Sequence, residues 1–255
     1  MRKLITITLI GLTSYFSYGQ IELKPDFDKT VKFLQSEDYS KAQKEFSDLL
    51  SKATDNKLKK YCLIYRAFSY NGLGNYKMAI ADLNEAIKLD PLDIASYTDL
   101  GKAKGFANDL DGAKQDFEYV LTKDSIGKQA QAALYYLGKI AYQNQQFEQS
   151  IKYYDKYILL TPNDPEVYFN RAAAKDMIMD PVGSIKDYDK AIQLDPNYKE
   201  AYANRGVAKI NLLRRNGNLF PTKEQAMDAC ADLKKAKQLG DNTVDDMIFI
   251  HCDKK

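Results

Sequence analysis

Residues 164–204 read DPEVYFNRAAAKDMIMDPVGSIKDYDKAIQLDPNYKEAYAN, and the chain then begins to repeat itself. Tyr168, Asn170, Arg171 and Ala172 return as Tyr202, Asn204, Arg205 and Gly206, at an interval of 34 residues. Between them lie a small residue, Ser184, an aromatic, Tyr188, a second small residue, Ala191, and the closing pair Asp195 and Pro196. A period of this size decides the architecture before any single element is assigned.

The same register can be followed along the chain. Aligned on the first small position of each second helix, the sequence gives Ala42, Ala79, Ala113, Ser150, Ser184 and Ala229. Seven residues later stand Leu49, Ala86, Val120, Tyr157, Ala191 and Ala236, with Phe46, Leu83, Phe117, Tyr154, Tyr188 and Leu233 between. Small residues let two helix axes approach while a large one fills the space beside the crossing. Proline after the second helix stops it, having no N–H and restricting the residue before it.

This spacing of aromatic, small and proline positions resembles the tetratricopeptide repeat (TPR), a helix-turn-helix unit of about 34 residues. The resemblance implies an all-α fold, an α–α superhelix or solenoid of six repeats over about 23–56, 60–93, 94–127, 131–164, 165–198 and 199–242, within a domain spanning 20–255. The first repeat, with Thr30 at a normally small position, reads as a degenerate terminal unit. Between the third and fourth, Ser125 to Gln129 carry about three extra residues. The fifth starts its second helix with Asp180 and Pro181, an acidic cap and a first-turn proline. In the sixth about eleven residues are inserted between Leu213 and Gln225. Arg214 to Thr222 reads as a loop in which Leu219, Phe220 and Pro221 either dock on a partner or form a tolerated surface excursion. A capping helix is expected over 243–252, started by Thr243 and Asp246, with Val244, Met247, Ile248 and His251 on one face.

Residues 1–19 carry two basic residues, an apolar run from Leu4 to Leu12 and the small-x-small pattern of Ser17 and Gly19. That is the layout of a secretory signal peptide cleaved before Gln20, and the run is short for a membrane span of about 20 residues. An uncleaved anchor is the alternative. The expectation is an exported protein, periplasmic or secreted, with no membrane span in the mature chain. In an oxidising compartment three cysteines allow one intrachain bridge. Cys230 and Cys252 sit on consecutive helices joined at Gly240 and Asp241, and closing that loop contributes about 3 kcal/mol. Cys62 is then a buried thiol; the alternative is three unrelated core cysteines. The resemblance adds that bacterial exported TPR proteins end in a paired-cysteine helix.

The chain has 37 basic and 35 acidic side chains, two of the basic ones inside the leader, so the mature part is close to neutral. Neutrality argues against nucleic acid, which is bound through many phosphate contacts. One histidine, His251, no Gly-rich phosphate loop and no run of metal ligands argue against an enzyme and imply no cofactor and no metal. The carboxylates read as helix caps and solvated faces.

In the resembled family the concave face, lined by first helices, binds peptides or protein segments. In this register its outward positions are Tyr65, Phe68, Asp99, Lys102, Tyr135, Tyr136, Lys139, Asn170 and Asn204. Each tyrosine serves binding or packing between repeats equally well. The family's carboxylate clamp is rejected. Asn170 and Arg171 match one part of it, but Tyr135, Lys139, Glu200 and Asn204 stand where further lysine, asparagine and arginine are needed. The reading is a non-enzymatic scaffold or adaptor of the cell envelope that binds a protein segment. The alternative is an accessory subunit for envelope assembly or glycan handling that uses the same groove.

Overall fold

The computed structural model describes residues 24–217 and 221–253. The expected leader over 1–19, and Leu219 and Phe220 of the insert, lie outside the described residues. Among the described residues there is no strand. The chain divides into two compact units, Met1–Ser125 and Ile126–Lys255. In the first, α1 (Lys24–Gln35) pairs with α2 (Tyr39–Lys52), α3 (Asn56–Gly72) with α4 (Tyr76–Leu89), and α5 (Ile94–Phe106) with α6 (Leu110–Lys123). In the second, α7 (Lys128–Gln143) pairs with α8 (Phe147–Leu160), α9 (Pro165–Met177) with α10 (Pro181–Leu194), and α11 (Lys199–Arg215) with α12 (Met227–Gln238). Within each unit a second helix also packs on the first helix of the following pair, α2 on α3, α4 on α5, α8 on α9 and α10 on α11.

Local chemistry sets these boundaries. Asp38, Asp55, Asp93, Asp109, Asp164 and Asp180 each accept a hydrogen bond from a first-turn N–H of the helix that follows. Such a cap satisfies a donor that the helix leaves open. Inside successive pairs the turn needs one left-handed residue, supplied by Glu37, Gly74, Asn108, Gln145 and Met179 with φ of 58°, 74°, 63°, 59° and 59°. In the last pair this role passes to Gly217, φ 97°, because α11 runs to Arg215. Arg214 and Arg215 therefore end a helix instead of opening a loop, where their charge suits the helix C-terminus. The extra residues before α7 are likewise partly absorbed, since Lys128 and Gln129 already belong to that helix.

The core is a series of small-against-large crossings. Phe46, Leu83, Phe117, Tyr154, Tyr188 and Leu233 are all at most 1% exposed. The tightest is Gly138 against Tyr154. A Cβ on Gly138 would lie 2.5 Å from the ring, and the Gly138 carbonyl accepts a 2.8 Å hydrogen bond from Ser150 Oγ. Gly138→Ala is expected to lower stability by about 1–3 kcal/mol, because overfilling a close crossing displaces the ring or the helix. Urea unfolding checks this, and an unchanged midpoint would show that Tyr154 moves aside freely.

The C-terminus departs from a regular helix. A 3₁₀ turn at Asn242–Val244 leads into α13 (Asp245–Ile248) and a π-helical turn at Phe249–Asp253. Asp241, not Thr243, caps the start, accepting from the Thr243 N–H at 3.0 Å. The reason for the wide turn lies in the spacing. Val244, Ile248 and Cys252 are all buried and recur every four residues, a period that the α-helix at 3.6 drifts away from and a π turn corrects. Cys252 bonds to Cys230 on α12 with Cα atoms 5.7 Å apart, and Cys62 is buried and unbridged.

Candidate protein-binding face

The first helix of a pair carries a small residue at the crossing: Ala67, Gly101, Gly138, Ala172 and Gly206. Two residues before these stand Tyr65, Asp99, Tyr136, Asn170 and Asn204, and one residue after the first three stand Phe68, Lys102 and Lys139. These positions share one stripe of their helices, on the side away from the paired second helix.

In the first unit, Tyr65 is drawn into the packing between the first two pairs. Its ring meets Phe27 edge-on at 5.4 Å and stacks on Phe46 at 5.6 Å. Burial, helped by Tyr61 and Asp99, pushes its hydroxyl up to about 12. Phe68 sits 6.4 Å from the Tyr39 ring. Asp99 and Lys102 form a 3.0 Å ion pair on the partly exposed face of α5.

In the second unit, Tyr135 is 8% exposed and its hydroxyl donates to the Glu166 carboxylate. Burial and that carboxylate push the Tyr135 hydroxyl far above its ordinary value. Tyr136 meets the Tyr135 ring edge-on at 5.2 Å, and the Lys139 ammonium lies 5.3 Å from the centre of the same ring. Tyr135, Tyr136 and Lys139 are thus one cluster, joined to α9 through Glu166. Asn204 hydrogen-bonds the Tyr188 hydroxyl, which itself donates to Asp176 at 2.8 Å. Asn170 differs: its Nδ2 is enclosed and has no hydrogen-bond partner in the described structure. An amide donor buried without an acceptor is costly, which sets Asn170 apart from its equivalents.

The reading of the carboxylates as caps and solvated faces is corrected. Asp82, Asp116, Asp187 and Asp232 are 5%, 9%, 3% and 5% exposed. Arg66 grips both oxygens of Asp82 at 2.7 Å, and Lys104 reaches Asp116 at 2.7 Å. Arg171 holds both oxygens of Asp187 at 2.8 and 2.6 Å, with Lys175 at 2.7 Å. Arg205 and Lys209 repeat the arrangement on Asp232. Arg171 and Arg205 also extend 2.6 Å bonds to Asp155 and Asp189 of the preceding pair. Arg171 is therefore occupied in packing, which agrees with rejecting the carboxylate clamp. The signal was in the sequence, since each buried aspartate directly precedes the large crossing residue and each arginine directly precedes the small one.

Comparison with known proteins agrees with this geometry. Two models described as tetratricopeptide repeat match residues 66–91 and 98–166. The C-terminal part of a TPR repeat-containing protein from Cytophaga hutchinsonii superposes with a TM-score of 0.70 at 19% identity, over 87% of this chain and 83% of that one. MamA from Desulfovibrio magneticus RS-1 gives 0.61 at 18% identity, over 71% and 94%. YrrB, described as a TPR protein with an unusual peptide-binding site, gives 0.59 at 20% identity, over 78% and 94%. No curated protein sequence matches the chain significantly.

Proposed function

We propose that this chain, which is a tetratricopeptide-repeat protein, is a non-enzymatic scaffold that binds an extended segment of another protein along its first helices. One repeat is read into each helix pair. The observation that carries the proposal is the stripe Tyr136, Asn170 and Asn204, one residue per pair at a constant interval of 34. All three are partly exposed, and one of them holds an amide donor without an acceptor. An extended peptide offers a carbonyl at regular steps, and amides and tyrosine hydroxyls fixed on rigid helices can meet several at once. The peptide-binding site of YrrB, a protein with this fold, supports the same use.

Among the nine candidate positions, Tyr65, Phe68 and Tyr135 hold neighbouring side chains in place. Tyr136, Lys139, Asn170 and Asn204 of the second unit are the ones offered to a ligand, and Asp99 and Lys102 take the equivalent positions of the first. Export to the cell envelope rests on the leader-like residues 1–19 and on the Cys230–Cys252 bond, which persists in oxidising surroundings. No helix among the described residues is long and apolar enough to cross a membrane.

The test is selection of binders from a random peptide library on the wild-type chain, followed by titration against Asn170→Ala with Asn204→Ala. Affinity is expected to fall by about tenfold or more, the effect of one or two lost hydrogen bonds to a buried partner, while helical circular dichroism at the titration temperature is unchanged. Undiminished affinity in the double variant moves the site off this stripe.

A further inference from the structure

The C-terminal segment 241–253 is held by a small apolar contact and one covalent link. Its helical pieces have 3, 4 and 5 residues, lengths that do not persist alone. Its apolar contribution is Val244, Ile248 and Cys252, with Met247 partly buried against them. Its ion pairs, Lys237 with Asp245 and Lys234 with Asp253, join side chains that are more than half exposed and so add little. A shallow open depression is lined by Lys223, Met227, Cys230, Ala231, Lys234 and Cys252. Cys230 and Cys252, 8% and 9% exposed, thus line the same depression as Lys223 and Lys234, the latter 3.8 Å from Asp253.

We propose that this depression is a thiol–disulfide exchange site, at which a dithiol reductant opens the Cys230–Cys252 bond and unlocks the terminal segment. One thiolate of the reductant attacks one sulfur, the S–S bond breaks, and the displaced cysteine leaves as a thiolate that takes up a proton. The second thiol of the reductant then attacks the mixed disulfide, releases the other cysteine as a thiol and closes its own disulfide. Two electrons and two protons pass to the protein. Lys223 and Lys234 draw in the attacking thiolate and stabilise the departing one. Release of the segment uncovers the apolar surface of α11 and α12 around Ile210, Leu233 and Ala236. Cys62, enclosed in α3, takes no part.

The experiment treats the oxidised full-length chain with dithiothreitol in the absence of denaturant and then with a maleimide. Labels are expected on Cys230 and Cys252 and none on Cys62, with amide exchange over 241–253 quickened by about tenfold or more while α9 and α10 keep their protection. Lys223→Gln with Lys234→Gln is expected to slow reduction about threefold or more at low salt and to equal the wild type at high salt. Cys252→Ser must show the fast exchange over 241–253 without any reductant. Reduction that requires denaturant, equal rates for the lysine variant and the wild type at low salt, or a reduced chain whose 241–253 amides stay protected, overturns the proposal.

Discussion

Asp187→Ala is expected to lower the stability of the second unit by about 3–5 kcal/mol, the cost of removing one partner from a buried ion pair. The carboxylate is 3% exposed and receives three bonds, two from Arg171 and one from Lys175. The Arg171 and Lys175 side chains are themselves only 16% and 19% exposed. Alanine leaves two sequestered cations, and Arg171 retains only Asp155, half exposed on the preceding pair. The loss comes from this stranded charge more than from the strength of the original pair. Asp187→Ala combined with Arg171→Met is therefore expected to recover part of it, since an ion pair replaced by apolar groups of similar volume is often near neutral. Asp155→Ala, removing the exposed partner, is expected to cost about 0–1 kcal/mol. Urea unfolding of the three variants decides the matter: a loss for Asp187→Ala no larger than for Asp155→Ala would mean that water reaches the site.

These aspartates also mark how far the sequence could be read. The helical hairpins were legible because their signal is a size pattern: small residues at two crossings, a large one between, a proline or aspartate at the ends. Charge carries no such signal of depth. Asp187 and Asp189 stand two residues apart in one polar run, yet the first is enclosed and the second is 56% exposed at its side chain. What tells them apart is position: Asp187 directly precedes the crossing residue Tyr188 and meets Arg171 and Lys175 of the paired helix, whereas Asp189 follows it. The binding stripe was half legible for a related reason. Register placed Tyr65 and Asn170 at equivalent positions, but Tyr65 faces Phe27 and Phe46 of the degenerate first pair, whose rings draw it inward. Asn170 instead encloses an amide donor without a partner. The terminal helix was expected as one regular helix from the face of Val244, Met247, Ile248 and His251, a pattern that does not distinguish α-helix from the short 3₁₀, α and π turns found.

Raising the pH from 9 to 11 is expected to remove about 7 kcal/mol from the second unit against about 4 from the first, and to unfold the second unit first. Tyr135, Tyr154 and Tyr188 are 8%, 1% and 0% exposed, and burial is the leading cause that pushes each hydroxyl well above its ordinary value of 10. Glu166 and Asp176, by accepting from Tyr135 and Tyr188, strengthen the neutral form further. The direction of the effect follows from the protons. Above pH 10 the unfolded chain gives up its tyrosine protons while the folded chain keeps them, so stability is intact below the unfolded value and declines as the pH climbs toward the folded one. One pH unit past 10 each of these tyrosines withdraws about 1.4 kcal/mol, and with Tyr157 and Tyr198, likewise pushed well up by burial first, five withdraw about 7. In the first unit burial holds Tyr65 and the Cys62 thiol each at about 12, and together they withdraw about 4 kcal/mol, the thiol more because its ordinary value is lower. Phenolate absorbance near 295 nm, followed together with helical circular dichroism, reads both events. The phenolate signal of the buried tyrosines is expected to rise cooperatively with loss of helix, and Tyr154→Phe is expected to move the alkaline midpoint upward. Buried tyrosines that ionise near pH 10 with the helices intact would show that water enters the crossings at Gly138 and Ala172.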